Sequence, residues 1–374
     1  MFFVIAIIVL IFVVIFQIAK ASEYVSVLKG EEVSRKQNNK INGFLMVAFL
    51  VLGLVGVWWC NELYYDMTLL DWPWDAKHTS PSASVEGTKV DEMLWITLIV
   101  TGIVFVITQI LLFWFAYKYQ ESDKRKVFYF PHNTKLEIIW TVIPAIALTV
   151  LVVIGLRNWF IFTGDAPDNA MKVEVTGKQF NWIFRYPGND KEFGKKYFRL
   201  IDEAQGNSLG LEWKDTSIRI KNSMGGEKVM QFQDDPLSHD DVITTQLYLV
   251  KGKPVKFIIG SRDVIHSVGM PHFRMKMDAV PGTPTTLWFT PQYTTEEMKE
   301  ITGNPNFTYE LACDQMCGNS HFSMKGTIVV VTQAEFDAWM AKQPTAYAGA
   351  FPAAAPAAPP AADSAKKPTA QLIK

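Results

Sequence analysis

Four uninterrupted apolar runs before residue 165 decide what kind of molecule this chain can be: about Phe2 to Ile18, Gly43 to Trp59, Met93 to Tyr117 and Ile138 to Ile161. Each approaches the roughly 20 residues that a helix needs to cross a bilayer, where every backbone amide must find its partner inside the segment. The connecting loops are unequally charged. Residues 20–40 hold Lys20, Lys29, Arg35, Lys36 and Lys40, and residues 118–136 hold Lys118, Lys124, Arg125, Lys126 and Lys135. The loop 61–92 instead holds Glu62, Asp66, Asp71 and Asp75. Basic loops stay on the cytoplasmic side, so the N-terminus and everything beyond residue 162 are expected outside. Trp58, Trp59, Trp72, Trp74, Trp95, Trp114 and Trp159 fall near the expected interfaces, as an aromatic belt would. The first run could also be read as a signal peptide ending at Ala19-Lys20-Ala21. It lacks a basic leader and exceeds the usual apolar core, so a retained helix is the expectation.

Beyond about Met171 the pattern becomes one of short alternating segments: 171–177, 179–186, 254–260, 285–290 and 324–332. With Gly, Pro and Asn between them, these predict an all-β sandwich or barrel, giving an α+β membrane protein as a whole. A polar insertion near 189–243 carries Asp234, Asp235, Asp240 and Asp241, and a short amphipathic helix is expected near 333–342. Residues 344–365 are mostly Ala and Pro and predict a disordered or extended linker. The formal net charge of -1 averages these unlike regions. No basic stripe interleaved with aromatics occurs, which removes nucleic acid as a partner.

The three cysteines make no disulfide framework. Cys60 ends an apolar run and reads as a small buried hydrophobe at the membrane edge. Cys313 and Cys317 stand in C-D-Q-M-C-G-N-S-H-F-S-M, which ends at Met324. Cys317, His321 and Met324 alone have the spacing of a blue-copper loop, which combines thiolate, imidazole and a weak thioether. A second thiolate four residues earlier, brought round by a tight turn, could bridge two metal ions. The remaining imidazole should come from another strand end. His266 in S-R-D-V-I-H continues the pattern of strand 254–260 and is preferred over His272. A Cys313–Cys317 disulfide and a closed zinc site are the plainer readings. The histidine and methionine that follow favour copper, since zinc has no need of the thioether.

With these residues in view, the Cys313–Met324 run resembles the dinuclear copper (CuA) loop of the cytochrome c oxidase subunit II family. S-R-D-V-I-H-S-V-G-M-P-H-F-R-M-K-M-D-A-V-P-G is similar to that family's first-ligand region, including Pro271, Lys276, Asp278, Pro281 and Gly282. L-E-I-I-W-T-V-I-P, from Leu136 to Pro144, resembles the start of its second membrane helix. The resemblance covers about residues 93–340. It implies two extra helices in 1–92, the family's helix pair in 93–164, an exterior cupredoxin-like Greek-key β-barrel in 165–343 and a tail in 344–374. It implies copper ligands His266, Cys313, Cys317, His321, Met324 and the backbone carbonyl of Gln315, with the thiolates bridging and the last two weak and axial. It also implies a chain that takes electrons from cytochrome c, or from a membrane-bound c-type cytochrome in a respiratory supercomplex. These would pass to subunit I for oxygen reduction coupled to proton pumping, beside other oxidase subunits in a bacterial cell membrane.

Departures from the family pattern matter. Gln315 stands where many relatives have a Glu that helps hold magnesium, and an amide lacks the charge a hard cation prefers. The entry aromatic is usually Trp in Q-W-x-W, whereas this chain has Q-F-N-W, with Phe180 at the usual position and Trp182 next; both could simply pack the barrel. Glu137 matches a carboxylate at the mouth of a proton channel, while locally Thr134 to Glu137 reads as a capping box. The acidic residues of 234–241, with Asp263 and Asp314, could steer a basic cytochrome. No C-x-x-C-H occurs, so no covalent haem c is expected. A quinol oxidase subunit would lack the thiolates, nitrous oxide reductase is soluble and larger, and a tethered copper carrier would not need the helix pair.

Overall fold

The computed structural model describes residues 2–64, 81–122, 124–126, 128–221 and 226–352. Asp66, Asp71, Asp75, Trp72, Trp74 and the tail beyond 352 therefore lie outside the described residues. Four long helices come first: α1 (Phe2–Lys29), α2 (Glu31–Tyr64), α3 (Val85–Lys118) and α4 (Thr134–Thr163). Among the described residues, three stretches are long and apolar enough to cross a membrane: Glu31–Tyr64, Val85–Lys118 and Thr134–Ile161. Each helix outruns the apolar stretch that announced it. A helix continues into polar sequence as long as no Pro or Gly stops it, so hydropathy marks the buried part only. The cap of α4 is Asn133 rather than Thr134. Asn133 Oδ1 accepts the Leu136 N–H at 3.1 Å, and the Glu137 carboxylate accepts the Asn133 N–H at 3.2 Å.

Contacts divide the described chain into a helix unit, up to residue 64 and from 94 to 152, and a β unit of 81–93 and 153–352. Within the helix unit, Phe49 of α2 meets Phe113 of α3 at 5.7 Å between ring centroids.

The β unit is a sandwich of two five-stranded sheets. The first has β10 (Thr285–Phe289), β7 (Val255–Ser261), β1 (Met171–Lys178), β2 (Asn181–Tyr186) and β5 (Val242–Thr244), in that spatial order. The second has β6 (Leu247–Val250), β12 (Lys325–Val331), β11 (Tyr309–Cys313), β8 (His266–Met270) and β9 (Met275–Ala279). Two pairs, β1–β7 and β12–β6, are parallel. Alternation places Val255, Phe257 and Ile259 of β7 opposite a face bearing Leu247, Leu249, Ile328 and Val330, all buried. Two short helices, α5 (Thr295–Thr302) and α6 (Gln333–Met340), start at capping boxes on Thr294 and Thr332.

The insertion covers the outer face of β2. Trp182, Phe184 and Tyr186 point into the sandwich, so Ile183 and Arg185 point out. Ile183 joins Leu209, Leu211 and Trp213 in a second small core. Arg185 pairs with Glu174 of β1 at 3.0 Å and donates to the Gly194 carbonyl at 2.8 Å, while Lys196 also reaches Glu174. A separate hairpin, β3 (Thr216–Lys221) and β4 (Glu227–Phe232), stands on this layer. The start of the predicted linker differs from expectation. Residues Ala346–Ala350 form α7, and Tyr347 and Phe351 set their rings edge-on to Trp213. That aromatic contact gives an otherwise featureless Ala-rich stretch a surface to fold on.

Candidate metal centre

His266 opens β8 and Cys313 closes β11. Antiparallel pairing of Cys313 with Val268 brings together residues 47 apart in sequence. His266 Nδ1 lies 3.7 Å from Cys313 Sγ, and its other nitrogen, Nε2, is 2.8 Å from Asp263 Oδ1. The ring is fully buried and edge-on to Trp182 at 5.9 Å. His272 lies elsewhere, its ring edge-on to Phe307 and Tyr309.

The loop from β11 to β12 supplies the other donors. It is closed at its base by the Cys313 N–H donating to the Met324 carbonyl at 3.1 Å. A 3-10 turn over His321–Ser323 then folds it inward. Cys317 Sγ lies 3.8 Å from Cys313 Sγ, 3.6 Å from His321 Nδ1 and 3.8 Å from Met324 Sδ. The Gln315 carbonyl is 3.2 Å from Cys313 Sγ. Among the described residues, the donor atoms of His266, Cys313 and Cys317 form a buried group within 4.8 Å of one another. Soft sulfur and imidazole donors of this kind suit copper or zinc, and the thioether of Met324 inclines the set to copper. Burial pushes the Cys317 thiol up to about 11, helped by the hydrogen bond and charge of Cys313. A bound metal therefore has to displace that proton.

One exposed carboxylate, Asp263, serves this site. Burial works to raise the Asp263 carboxyl, but bonds from the Gln179 N–H, His266 and the Val264 N–H outweigh it and hold the group below its ordinary range. Asp263 thus anchors His266 and the 179–180 turn. Asp235 and Asp241 are buried, accepting the Lys195 and Gly194 N–H groups, while Asp234 stays exposed. Asp314 stays exposed. Gln179, which the sequence reading passed over, donates its amide to the Cys317 carbonyl. Its position beside Phe180 was the available signal.

Phe180 sits in the β1–β2 turn, 37% exposed, and its ring lies 3.0 Å from where a side chain on Gly318 would begin. Gly318 has φ +136°, a conformation that also favours glycine. Trp182, by contrast, is fully buried.

Comparison with known proteins fixes the family. The model for the transmembrane domain of cytochrome C oxidase subunit II matches residues 74–157, and that for its periplasmic domain matches 171–333. The alternative cytochrome c oxidase subunit 2 of Bradyrhizobium diazoefficiens is 30% identical over 262 residues, covering 70% of this chain and 82% of that protein. This chain belongs to the cytochrome c oxidase subunit II family.

Cytochrome c oxidase subunit 2 of Cereibacter sphaeroides is 27% identical, over 70% of this chain and 78% of its own length. Among solved structures, the periplasmic domain of subunit II of cytochrome oxidase from Bradyrhizobium japonicum aligns with 47% of this chain and 95% of that one. Its identity is 22% and its TM-score 0.29. As a subunit II, the chain is one component of an oxidoreductase assembled with subunit I and further oxidase subunits. Its helices belong in a bacterial membrane, and its cupredoxin-like β unit is the periplasmic domain.

Proposed function

We propose that this chain accepts electrons from a c-type cytochrome at a two-copper centre and relays them to subunit I for reduction of oxygen to water. The observation that carries the reading is the buried juxtaposition of His266, Cys313 and Cys317 with His321 and Met324 behind them. These five side chains and the Gln315 carbonyl would hold the metal, as a soft sulfur and imidazole donor set suited to copper. Two copper ions so held supply a one-electron couple.

The chain's own residues do the rest. Asp263 fixes the orientation of His266 by holding Nε2, which leaves Nδ1 toward the sulfurs. The antiparallel pairing of β8 with β11 holds His266 beside Cys313. Phe180, half-exposed and in contact with the ligand loop at Gly318, is the preferred entry point for electrons. Buried Trp182 supports His266 from the other side. Glu137 is bonded to the start of α4, a placement compatible with a proton-entry role at that end. Gln315 offers only an amide to a hard cation, which argues against magnesium beside it.

Copper analysis with electron paramagnetic resonance on the purified oxidase tests this. Two copper ions in this subunit sharing one unpaired electron support the proposal. A single copper with a blue-type spectrum, or zinc, overturns it.

A further inference from the structure

The helix unit contains a cavity of about 750 Å³ that electron relay does not use. Its walls are Lys36, Lys40 and Phe44 of α2, Tyr117 and Lys118 at the end of α3, and the loop that follows through Lys124 and Arg125. Lys36, Lys40 and Phe44 recur every four residues and so form one stripe of α2.

Among the described residues, the charge balance of this cavity is one-sided. Among the described residues its one acid is Glu121, which is held by Arg35 at 3.1 Å and by Asn39 at 3.4 Å, and Lys36 pairs with Glu32 at 2.9 Å. Lys40, Lys118, Lys124 and Arg125 have no carboxylate partner among the described residues. Arg125 donates to the Lys118 and Gln120 carbonyls, and Lys118 lies by the Trp114 and Tyr119 rings. Neither arrangement neutralises a charge. The depth is equally specific. Lys40 and Phe44 flank the point where the apolar run of α2 begins, and Tyr117 and Lys118 flank the point where that of α3 ends. With the β unit periplasmic, this level is the cytoplasmic interface, where hydrocarbon gives way to headgroups. Cations above aromatic rings, opening onto apolar helix faces, complement a phosphate that carries acyl chains.

We propose that this cavity binds the phosphodiester headgroup of an anionic phospholipid of the cytoplasmic leaflet. One wall, α2, precedes residue 74, where the match to the family's transmembrane domain begins. The site therefore depends on a helix outside that matched region.

The test uses the intact oxidase, delipidated and placed in phosphatidylcholine nanodiscs, with spin-labelled phosphatidylglycerol as the probe. The wild type should show a saturable, motionally restricted lipid component. A basic residue at a membrane surface strengthens anionic-lipid binding about five-fold, so K40Q/K124Q should weaken it about thirty-fold. K40R/K124R should restore binding, and K20Q, which alters a lysine of α1 outside the cavity, should leave it unchanged. Three results would overturn the site: K40Q/K124Q binding like the wild type, K20Q losing as much as the double variant, or inorganic phosphate competing as well as the lipid. Failure of any saturable lipid binding, with Lys40 shielded from chemical modification by another subunit, would assign the cavity to a protein contact instead.

Discussion

Asp263 reaches both the His266 ring and the Gln179 N–H, so one carboxylate ties the strand-borne ligand to the turn that carries Phe180. Substituting Asp263→Ala would leave Nε2 of a fully buried ring without its acceptor. Loss of such an orienting partner typically costs about 10- to 100-fold in metal affinity. Competition titration with a copper chelator should show that drop, and an unchanged affinity would mean that sheet packing alone orients the ring. Asp241 offers a second test at this scale. Burial pushes its carboxyl up to about 7, against the lowering pull of Arg185 and the Gly194 N–H. The folded state therefore keeps a proton that the unfolded chain has already released above its ordinary value of 3.8. Stability from this group is full below that value and is lost as pH rises toward 7, by about 1.4 kcal/mol per pH unit inside the window. Asp241→Asn removes the slope. The urea midpoint of the wild type, measured against D241N, should fall between about pH 4 and 7 and then level off. Parallel curves would show the carboxyl ionised at its ordinary pKa. The donors of the Cys313–Met324 loop were legible because they are close in sequence and chemically distinctive. Asp263 and Gln179 were not, since an acid and an amide near a turn look like ordinary surface until strand pairing reveals what they face.

Element boundaries follow the same logic. The apolar part of α3 was visible in sequence, but its first turns were not, because they are built for the β unit. Ala83 donates to the His272 carbonyl at 2.8 Å, Ser84 Oγ to the Phe273 carbonyl at 2.7 Å, and Arg274 binds Asp91 at 2.8 Å. Buried Glu86 accepts the Thr290 N–H at 2.7 Å. The first three contacts hold the segment just after β8, the strand that begins with His266, and the fourth holds the end of β10. Glu86→Ala would leave the half-buried Thr290 amide without its partner, a loss of about 1 kcal/mol. Chemical denaturation of the β unit, followed by Trp fluorescence in detergent, should report it. A change below about 0.5 kcal/mol would mean that water replaces the carboxylate. Helix α5 was missed although Thr294 and Glu297 spell a capping box, because its short length leaves too little periodicity to notice. Helix α7 carried no capping box, and the surface it folds on comes from distant residues, Trp213 and His239 among them.

At the scale of the molecule, two solvents are at work. Large apolar side chains cover the outside of α2, α3 and α4, where lipid or oxidase subunits replace water, while the β unit buries its own. A metal held by β8, β11 and the loop between β11 and β12 bears on the second unit only. Anything that binds the folded state and not the unfolded one stabilises it by mass action, by about 2.7 kcal/mol at a hundred times its dissociation constant. For a β unit of this size that corresponds to a rise of roughly 5–10 °C in its melting temperature. Calorimetry of the full chain in detergent, with the thiols reduced, should show the transition of the β unit rising on addition of copper and returning when a chelator removes it. The transition of the helix unit should stay where it is. C313S/C317S should keep the folded β unit, because serine fills nearly the same volume, and should show no rise. A rise that persists in that variant would place the stabilising metal somewhere other than the two thiols.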